Sequence, residues 1–392
     1  MRDVVLGIDF GTSCTSAGAL IGDRVELVRD NGDPVVPSVI YVPERGPLEV
    51  GQRAAQHHAA DPRSIVRSVK RVLGLAANDP LVKRYAAGVA FRIEAANERA
   101  LFKLPGGAFA PEQLAAAVLT RVRELAEQRF GGQVRKAVIT VAAAPPAGYR
   151  DAITRAAKIA HLEVVELVAE PIAGALAFGL HAAPARRRLL VLDFGGGTFD
   201  ACAVVQDGMR FSPVATYGDP LLGGDDFDDA LAEGVAGTVH RSHGADLHRD
   251  ITKWLELRYR CESAKRQLSS RLDAPLAMRD AFVSGGRPRN LELTIDREWA
   301  EAKWSELIDR ASAVVREVIT RASWRYDHVD QVVLIGGTSL IPLFRRTVTS
   351  LFGAQKVLSS PEADLAVAVG ASLLTARHGE TPRQVPTLQA VA

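Results

Sequence analysis

The chain is short of the features that mark secreted, membrane-spanning or nucleic-acid-binding proteins. Its 392 residues hold only three cysteines, Cys14, Cys202 and Cys261. None of them forms a C-x-x-C ligand pair, which argues against a structural zinc and for a reducing compartment. No apolar N-terminal stretch has signal-peptide length, and the first apolar run, Val4 to Ile8, is far shorter than a membrane span. Net charge is only +2, and no Lys/Arg run is long enough to leave a nucleic-acid footprint. The densest cluster, Arg186-Arg187-Arg188, reads as a solvated loop. These absences lead us to expect a soluble, cytoplasmic protein whose partners include neither nucleic acid nor membrane.

What is present is an ordinary globular composition, 47% hydrophobic and 24% charged, on a chain long enough to favour two domains over one core. The stretch Leu189 to Asp200, LLVLDFGGGTFD, organises the rest. Four apolar residues fit a strand buried on both faces, and Gly195, Gly196 and Gly197 follow Asp193. Three glycines let the backbone take positive φ and approach a ligand closely, so that successive N–H groups can point at an anion. Thr198 adds a hydroxyl and Asp200 a second carboxylate, a set suited to a hydrated divalent cation bridging phosphates. A tight turn would use the same glycines. The start of the chain weighs against that simpler reading: Val4 to Ala19 repeats the pattern, an apolar strand ending in Asp9-Phe10-Gly11 and followed by Thr12 and Ser13. Val332 to Leu340 repeats it once more, ending in Gly336-Gly337-Thr338. Strand–helix units at Ala137–Val141 and Gln331–Ile335, with Glu170 to Gly179 echoing Ala363 to Gly370, complete an internal repeat that implies two similar α/β lobes.

In chain order, Val25–Val28 returns as the hairpin partner of the first strand, and Val39 to Val42 is a further strand. From about Leu48 to Gly107 the texture changes to short helical pieces with Arg and Lys, an insertion on the first lobe. Within it, Arg63 to Leu73 places Ile65, Val66, Val69, Val72 and Leu73 on one helical face, and spacing alone makes Lys70 a solvated helix lysine. Pro111 to Phe130 is the clearest helix, with proline at its start and Gly131-Gly132 at its end. Glu170 follows a strand and precedes Pro171; it either enters a cleft or serves as a helix-start acid favoured by the dipole. Gly223-Gly224-Asp225-Asp226 turns into a helix. Glu262, Lys265, Arg266 and Ser269, at i, i+3, i+4 and i+7, share one helical face. That face is either an exposed one with an ordinary ion pair, or a carboxylate and amine for ribose hydroxyls beside a guanidinium that stacks on a base.

The motifs DFGTS, AVITV, the Glu170-Pro171 turn, LDFGGGTFD, LGGDDFD, CESAKRQLSS and GGTSLIP resemble, in order and spacing, the nucleotide-binding domain of the seventy-kilodalton heat-shock chaperones, within the actin/sugar-kinase/heat-shock ATPase superfamily. The likeness covers roughly residues 4–376. It implies two actin-like, ribonuclease H-like lobes around a central ATP cleft: lobe I over 1–181 with an insertion at about 37–110, lobe II over 182–376 with an insertion at about 223–300, and a flexible tail over 377–392. By the same resemblance, Asp9, Asp193 and Asp200 surround a hydrated Mg²⁺, and Gly11, Thr12, Ser13 and Gly195 to Thr198 cradle the phosphates. Lys70 becomes the γ-phosphate lysine, which displaces its bland reading, and Glu170 orients the attacking water, with Asp200 and Thr198 beside it. Glu262, Lys265, Arg266 and Ser269 become ribose and adenine contacts, and Gly223, Gly224, Gly336, Gly337, Leu340 and Asp364 complete the ATP/ADP pocket. The chain carries no G-x-x-x-x-G-K-[ST] loop, consistent with a different ATP-binding architecture.

Departures from the family pattern are as informative. Leu340 stands where the family usually has an arginine on the second face of adenine, and Ala142 occupies its hinge proline. Glu166 reverses the charge of a position that receives the J-domain co-chaperone, which counts against that docking. Pro220-Leu221 replaces a Thr-His pair, and the tail lacks the Leu-Leu-Leu-Asp type of linker to a peptide-binding β-sandwich. The expectation is therefore a Mg²⁺-dependent ATPase with slow turnover whose lobes close on ATP, with a nucleotide-exchange factor or a client protein as partner. Two rivals are a small-molecule kinase of the same superfamily and a non-hydrolysing nucleotide-binding scaffold or filament protein.

Overall fold

The computed structural model describes residues 4–58, 60–180, 186–208 and 210–378. The flexible tail expected over 377–392 lies outside them from residue 379 on. Arg377 closes a short 3-10 turn, and both it and His378 face Glu166, at 3.5 and 2.7 Å.

Each half of the chain builds the same order of strands. In the first, β1 (Val4–Phe10), β2 (Cys14–Ile21), β3 (Arg24–Leu27), β4 (Val134–Val141) and β5 (Glu163–Ala169) lie in the order β3-β2-β1-β4-β5, with Val35–Pro37 also pairing to β2. In the second, β6 (Arg186–Phe194), β7 (Phe199–Asp207), β8 (Arg210–Asp219), β9 (Gln331–Ile335) and β10 (Val357–Leu358) lie in the order β8-β7-β6-β9-β10. Each central strand runs antiparallel to its hairpin partner and parallel to its crossover partner. The repeated Asp-Phe-Gly thus marks a repeated topology, and in both halves it falls where the central strand turns into its hairpin.

Helices cover these sheets on both faces. On the first, α1 (Pro111–Phe130) and α2 (Tyr149–Ile159) bury Leu114, Val118, Val122, Ala152 and Ile153 in a core with Leu6, Ile8 and Ile139. Helix α1 begins on Pro111, with the Gln113 side chain accepting from the Ala110 N–H at 2.8 Å, and ends on Gly131 in the left-handed region. Between the two sheets lie α3 (Glu170–Ala177) and, from the far end of the chain, α8 (Ala366–Leu374); Ala173, Leu176, Val367 and Leu373 pack there with Val138, Val191 and Val333. Beyond the second sheet, α4 (Gly224–His243), α5 (Ile251–Leu268), α6 (Arg297–Arg321) and α7 (Pro342–Phe352) surround Phe194, Phe227, Trp304 and Phe344. The layers are therefore helix, sheet, helix pair, sheet, helix, and the strand ends of both sheets open on one cleft.

Two sequence expectations are corrected. Arg63 to Leu73 is not a helix: it is a 3-10 turn (Pro62–Ser64), a strand (Ile65–Val66), a left-handed Ser68 at φ 54, and a second 3-10 turn (Val69–Val72). The apolar residues expected on one face, Ile65, Val66, Val69, Val72 and Leu73, are all buried. β-branched side chains resist the helix, and pairing of Ile65–Val66 with Ile40–Tyr41 supplies the alternative. Likewise Arg186 to Arg188 is not a loop but the start of β6, paired with Val205 to Asp207 where the hairpin runs out past the core.

Candidate functional site

Two hairpin turns face each other across the cleft. The β1–β2 turn carries Gly11, Thr12 and Ser13; the β6–β7 turn carries Gly195, Gly196, Gly197 and Thr198. They touch so closely that a Cβ on Gly196 would lie 2.0 Å from Ser13 Oγ, and one on Gly197 2.8 Å from Thr12 Oγ1. None of the three glycines takes a positive φ, contrary to the sequence expectation; at Gly196 and Gly197 the opposing turn, not an unusual dihedral, excludes a side chain. Gly195 O accepts from Gly224 N at 3.0 Å and Thr338 Oγ1 at 2.8 Å, and Gly196 O from Asp225 N at 2.8 Å. The carbonyls are thus spent on α4 and its neighbours. Among the described residues, no protein acceptor takes the N–H groups of Thr12, Ser13, Gly196 or Gly197. Unpaired N–H groups in successive turn positions form an anion-binding concavity.

Carboxylates gather beside these donors. Asp9 lies near the end of β1, Asp193 near the end of β6, and Asp200 directly opposite Asp193 on β7. Glu170 opens α3 and accepts from Lys70 Nζ at 2.8 Å; the two side chains are only 8% and 15% exposed. Asp9 Oδ1 accepts from Thr140 Oγ1 at 3.2 Å. Burial, then the charge of Glu170, pushes Asp9 up to about 7 and Asp200 up to about 6. Asp193 is raised well above the usual carboxylate range by burial and by Glu170 and Asp9. Burial works against the charge on Lys70, yet Glu170, Tyr149 and Asp9 outweigh it and hold the ammonium above its ordinary value. Acidic groups here outnumber the one ammonium, Lys70, that faces them. Among the described residues, no group of three His, Cys, Asp or Glu side chains converges closely enough to ligate a metal directly. The carboxylate oxygens of Asp9, Asp193 and Asp200 are donors of the kind a hard divalent cation takes.

The expected helix face is present on α5, with Ser269 as its C-cap; Glu262, Lys265 and Ser269 on it are half-buried and Arg266 is exposed. Glu262 pairs with Arg67 and, at 3.2 Å, with Arg266. Lys265 Nζ donates to Gly224 O and to Asp228 Oδ2, both at 2.8 Å. Arg266 also approaches Cys14 Sγ at 3.5 Å, and Ser269 Oγ lies 3.5 Å from Lys265 O. Further contacts tie the first insertion to α4 and α5: Ser68 Oγ donates to Asp225 Oδ2 at 3.1 Å, Arg71 lies 3.3 Å from the same carboxylate, and His58 stacks on Tyr259. Burial and the neighbouring Arg67 push His58 down to about 4, so the stacked ring is neutral at pH 7.

A cavity of about 330 Å³ opens between the turns and α5. Asp9, Gly11, Thr12, Ser13, Lys70, Glu170, Asp193, Gly195, Gly196 and Thr198 line it together with Glu262, Lys265, Arg266, Ser269, Gly336, Gly337, Leu340 and Asp364. Four residues assigned from sequence stand outside it. Gly197, Gly223 and Gly224 back the glycine turn, and a Cβ on Gly223 would fall 2.5 Å from the Gly197 carbonyl carbon. Asp200 instead lines an adjoining chamber of about 720 Å³ that shares Thr12, Lys70, Glu170 and Thr198 with the first.

Sequence reasoning missed Thr140, Arg67, Arg71, Asp225, Asp228 and Tyr149. The run Gly223-Gly224-Asp225-Asp226-Phe227-Asp228 carried a signal, since it holds more acids than one helix start needs. Thr140 faces Asp9 because β4 lies beside β1, which only the assembled sheet reveals.

Residues 5–385 match the family model described as Hsp70 protein. The two-sheet architecture is that of the two-lobed, actin-like ATPase fold.

Proposed function

The chain belongs to the Hsp70 family, and from that premise we propose that it binds ATP in the 330 Å³ cavity and hydrolyses it slowly, closing its lobes on ATP and loosening them on ADP. The observation that carries this reading is the set of unpaired N–H groups at Thr12, Ser13, Gly196 and Gly197 beside the Asp9, Asp193, Asp200 and Glu170 acids. Those N–H groups, with the Thr12, Ser13 and Thr198 hydroxyls, would take the β- and γ-phosphates. Mg²⁺, held through water by Asp9, Asp193 and Asp200, would neutralise phosphate charge as the terminal phosphoryl leaves. Lys70 would bear on the γ-phosphate from its place against Glu170, and Glu170 or Asp200 would orient the water and receive its proton. Glu262 and Lys265 would take the ribose hydroxyls, with Arg67 yielding Glu262 on binding, while Arg266 and Leu340 flank the base. Within the family's chemistry, a nucleotide-exchange factor or a client protein is the partner expected.

Calorimetry with ADP and ATP, with and without Mg²⁺, alongside phosphate release, tests the reading. We expect saturable binding that strengthens with the metal, and slow phosphate release; purified protein that ignores both nucleotides overturns it. Leu340 supports a narrower prediction. Leu340→Arg adds a cation–π contact of about 0.5–2 kcal/mol to the base, so ADP should bind roughly 2–30-fold more tightly by calorimetry. Unchanged or weaker binding removes Leu340 from the adenine wall.

The adjoining 720 Å³ chamber favours one second reading, phosphoryl transfer to a small hydroxylated acceptor. ATP consumption that rises on addition of one sugar or polyol would support it.

A further inference from the structure

Tyr149 opens α2 immediately after Gly148, whose left-handed turn at φ 86 is wedged against Gly74. Its ring is 4% exposed and belongs to the first core, so the backbone and the ring are both fixed. Its hydroxyl is different. It is buried and has no hydrogen-bond partner among the described residues. Tyr149 is among the residues that line the 720 Å³ chamber, together with Lys70, Glu170, Thr198 and Asp200, and its phenol lies within electrostatic reach of Lys70, Glu170 and Asp9. Burial holds the phenol up at about 12, so it is neutral and can both donate and accept at working pH.

A buried hydroxyl without a partner is a cost that phenylalanine, with the same ring, would avoid. Among the described residues no group supplies its partner, and Tyr149 borders the chamber from which a small molecule can come. Charged lining groups nearby are already matched: Lys70 with Glu170, Arg71 with Asp225 and Asp226, Arg258 with Asp229. What the phenol lacks is a small neutral group that hydrogen-bonds both ways, and beside the Glu170 carboxylate that group is water.

We infer that Tyr149 is a water-positioning catalytic residue: its hydroxyl and the Glu170 carboxylate hold one water between them on the side of the cleft from which the γ-phosphoryl is attacked. The inference rests on the hydrolytic reading above. In the step, the water oxygen forms the new bond to phosphorus while the bond from phosphorus to the β–γ bridging oxygen breaks, and that electron pair leaves with ADP. The water proton passes to the carboxylate; Tyr149 keeps its own proton throughout and acts only through hydrogen bonds.

Tyr149→Phe tests this in the full chain. At saturating ATP, phosphate release should fall about tenfold, while KM for ATP and the Kd for ADP stay within about twofold of the parent, because the lost contact is to water and not to nucleotide. The nucleotide-free variant should melt no lower than the parent, and about 1–3 °C higher where the unpaired hydroxyl had destabilised it. A hydroxyl with a merely structural role, satisfied by a static water, would lower the melting temperature on removal and leave turnover alone. Turnover within twofold of the parent overturns the inference. A parent protein that releases no phosphate overturns the hydrolytic reading and this inference with it, whereas a hydrolysing parent with an equally active variant sinks Tyr149 alone.

Discussion

Replacing Lys70 with alanine should lower phosphate release at saturating ATP by about 100-fold or more, or about 3 kcal/mol of transition-state stabilisation. The argument is one of charge. Lys70 Nζ sits 2.8 Å from Glu170 and within the field of Asp9, in a pocket where Asp9, Asp193 and Asp200 are all raised by burial and by the charge of Glu170. Removing the ammonium leaves these acids with less compensation, so each holds its proton more tightly and offers a weaker hold on a cation. It also takes away the positive group nearest the position of the terminal phosphate in the proposed reaction. ADP affinity should change by less than about threefold, because Lys70 is bonded to Glu170 and not to Glu262, Lys265 or Arg266, whose contacts with Arg67, Asp228 and Cys14 do not pass through it. Single-turnover phosphate release and ADP calorimetry on the same preparation separate the two effects, and retained ADP binding certifies the fold. Equal release rates in parent and variant would discard the role given to Lys70.

How much of this was legible beforehand differs by kind of residue. The strand ends carrying Asp9 and Asp193 were readable because local signals agree: an apolar run, an acid, then glycine. Helix α1 was readable for the same reason, with proline, a helical stripe and a glycine stop coinciding on its observed bounds. The segment around Lys70 was misjudged in geometry because Val66, Val69 and Val72 satisfy a helical spacing that non-local strand pairing overrides. Its burial was nonetheless correct, since any conformation must hide those side chains. The cross-cleft partners were out of reach for a different reason. Arg67 and Glu262 are 195 positions apart, and Ser13 and Asp225 212, so no window of sequence contains either pair. Tyr149 carries no local signal at all: as a helix-start aromatic it looks like core, and only the orphaned hydroxyl distinguishes it. The glycine turn shows the subtler failure. Three adjacent glycines suggested dihedral freedom, whereas at Gly196 and Gly197 the opposing turn's Ser13 and Thr12 side chains leave no room for a Cβ.

The same steric logic predicts the largest stability effect, at the crossing of α3 and α8. A Cβ placed on Gly370 would lie 1.8 Å from the carbonyl oxygen of Ala173, and one on Gly7 of β1 would lie 2.2 Å from the backbone nitrogen of Ser372. Helix α8 is thus wedged, backbone against backbone, between the first sheet and α3, in the apolar layer that also holds Val191 and Val333 of the second sheet. Backbone atoms cannot rotate away as a flexible side chain does, so a larger residue must drive the helices apart and open voids along Ala173, Leu176, Val367 and Leu373. Gly370→Val should cost about 3 kcal/mol or more, partly offset by the helix propensity that glycine lacks. Denaturant unfolding should show a lower midpoint. Because α3 begins with Glu170 and α8 begins two residues after Asp364, separating them also moves two walls of the cavity. Nucleotide binding should therefore weaken together with stability. Gly370→Ala, with one methyl, should give the same pair of effects at smaller size. A Gly370→Val protein as stable as the parent would mean that α3 and α8 have room to part, and the shared helical layer would then not fix the spacing of the two sheets.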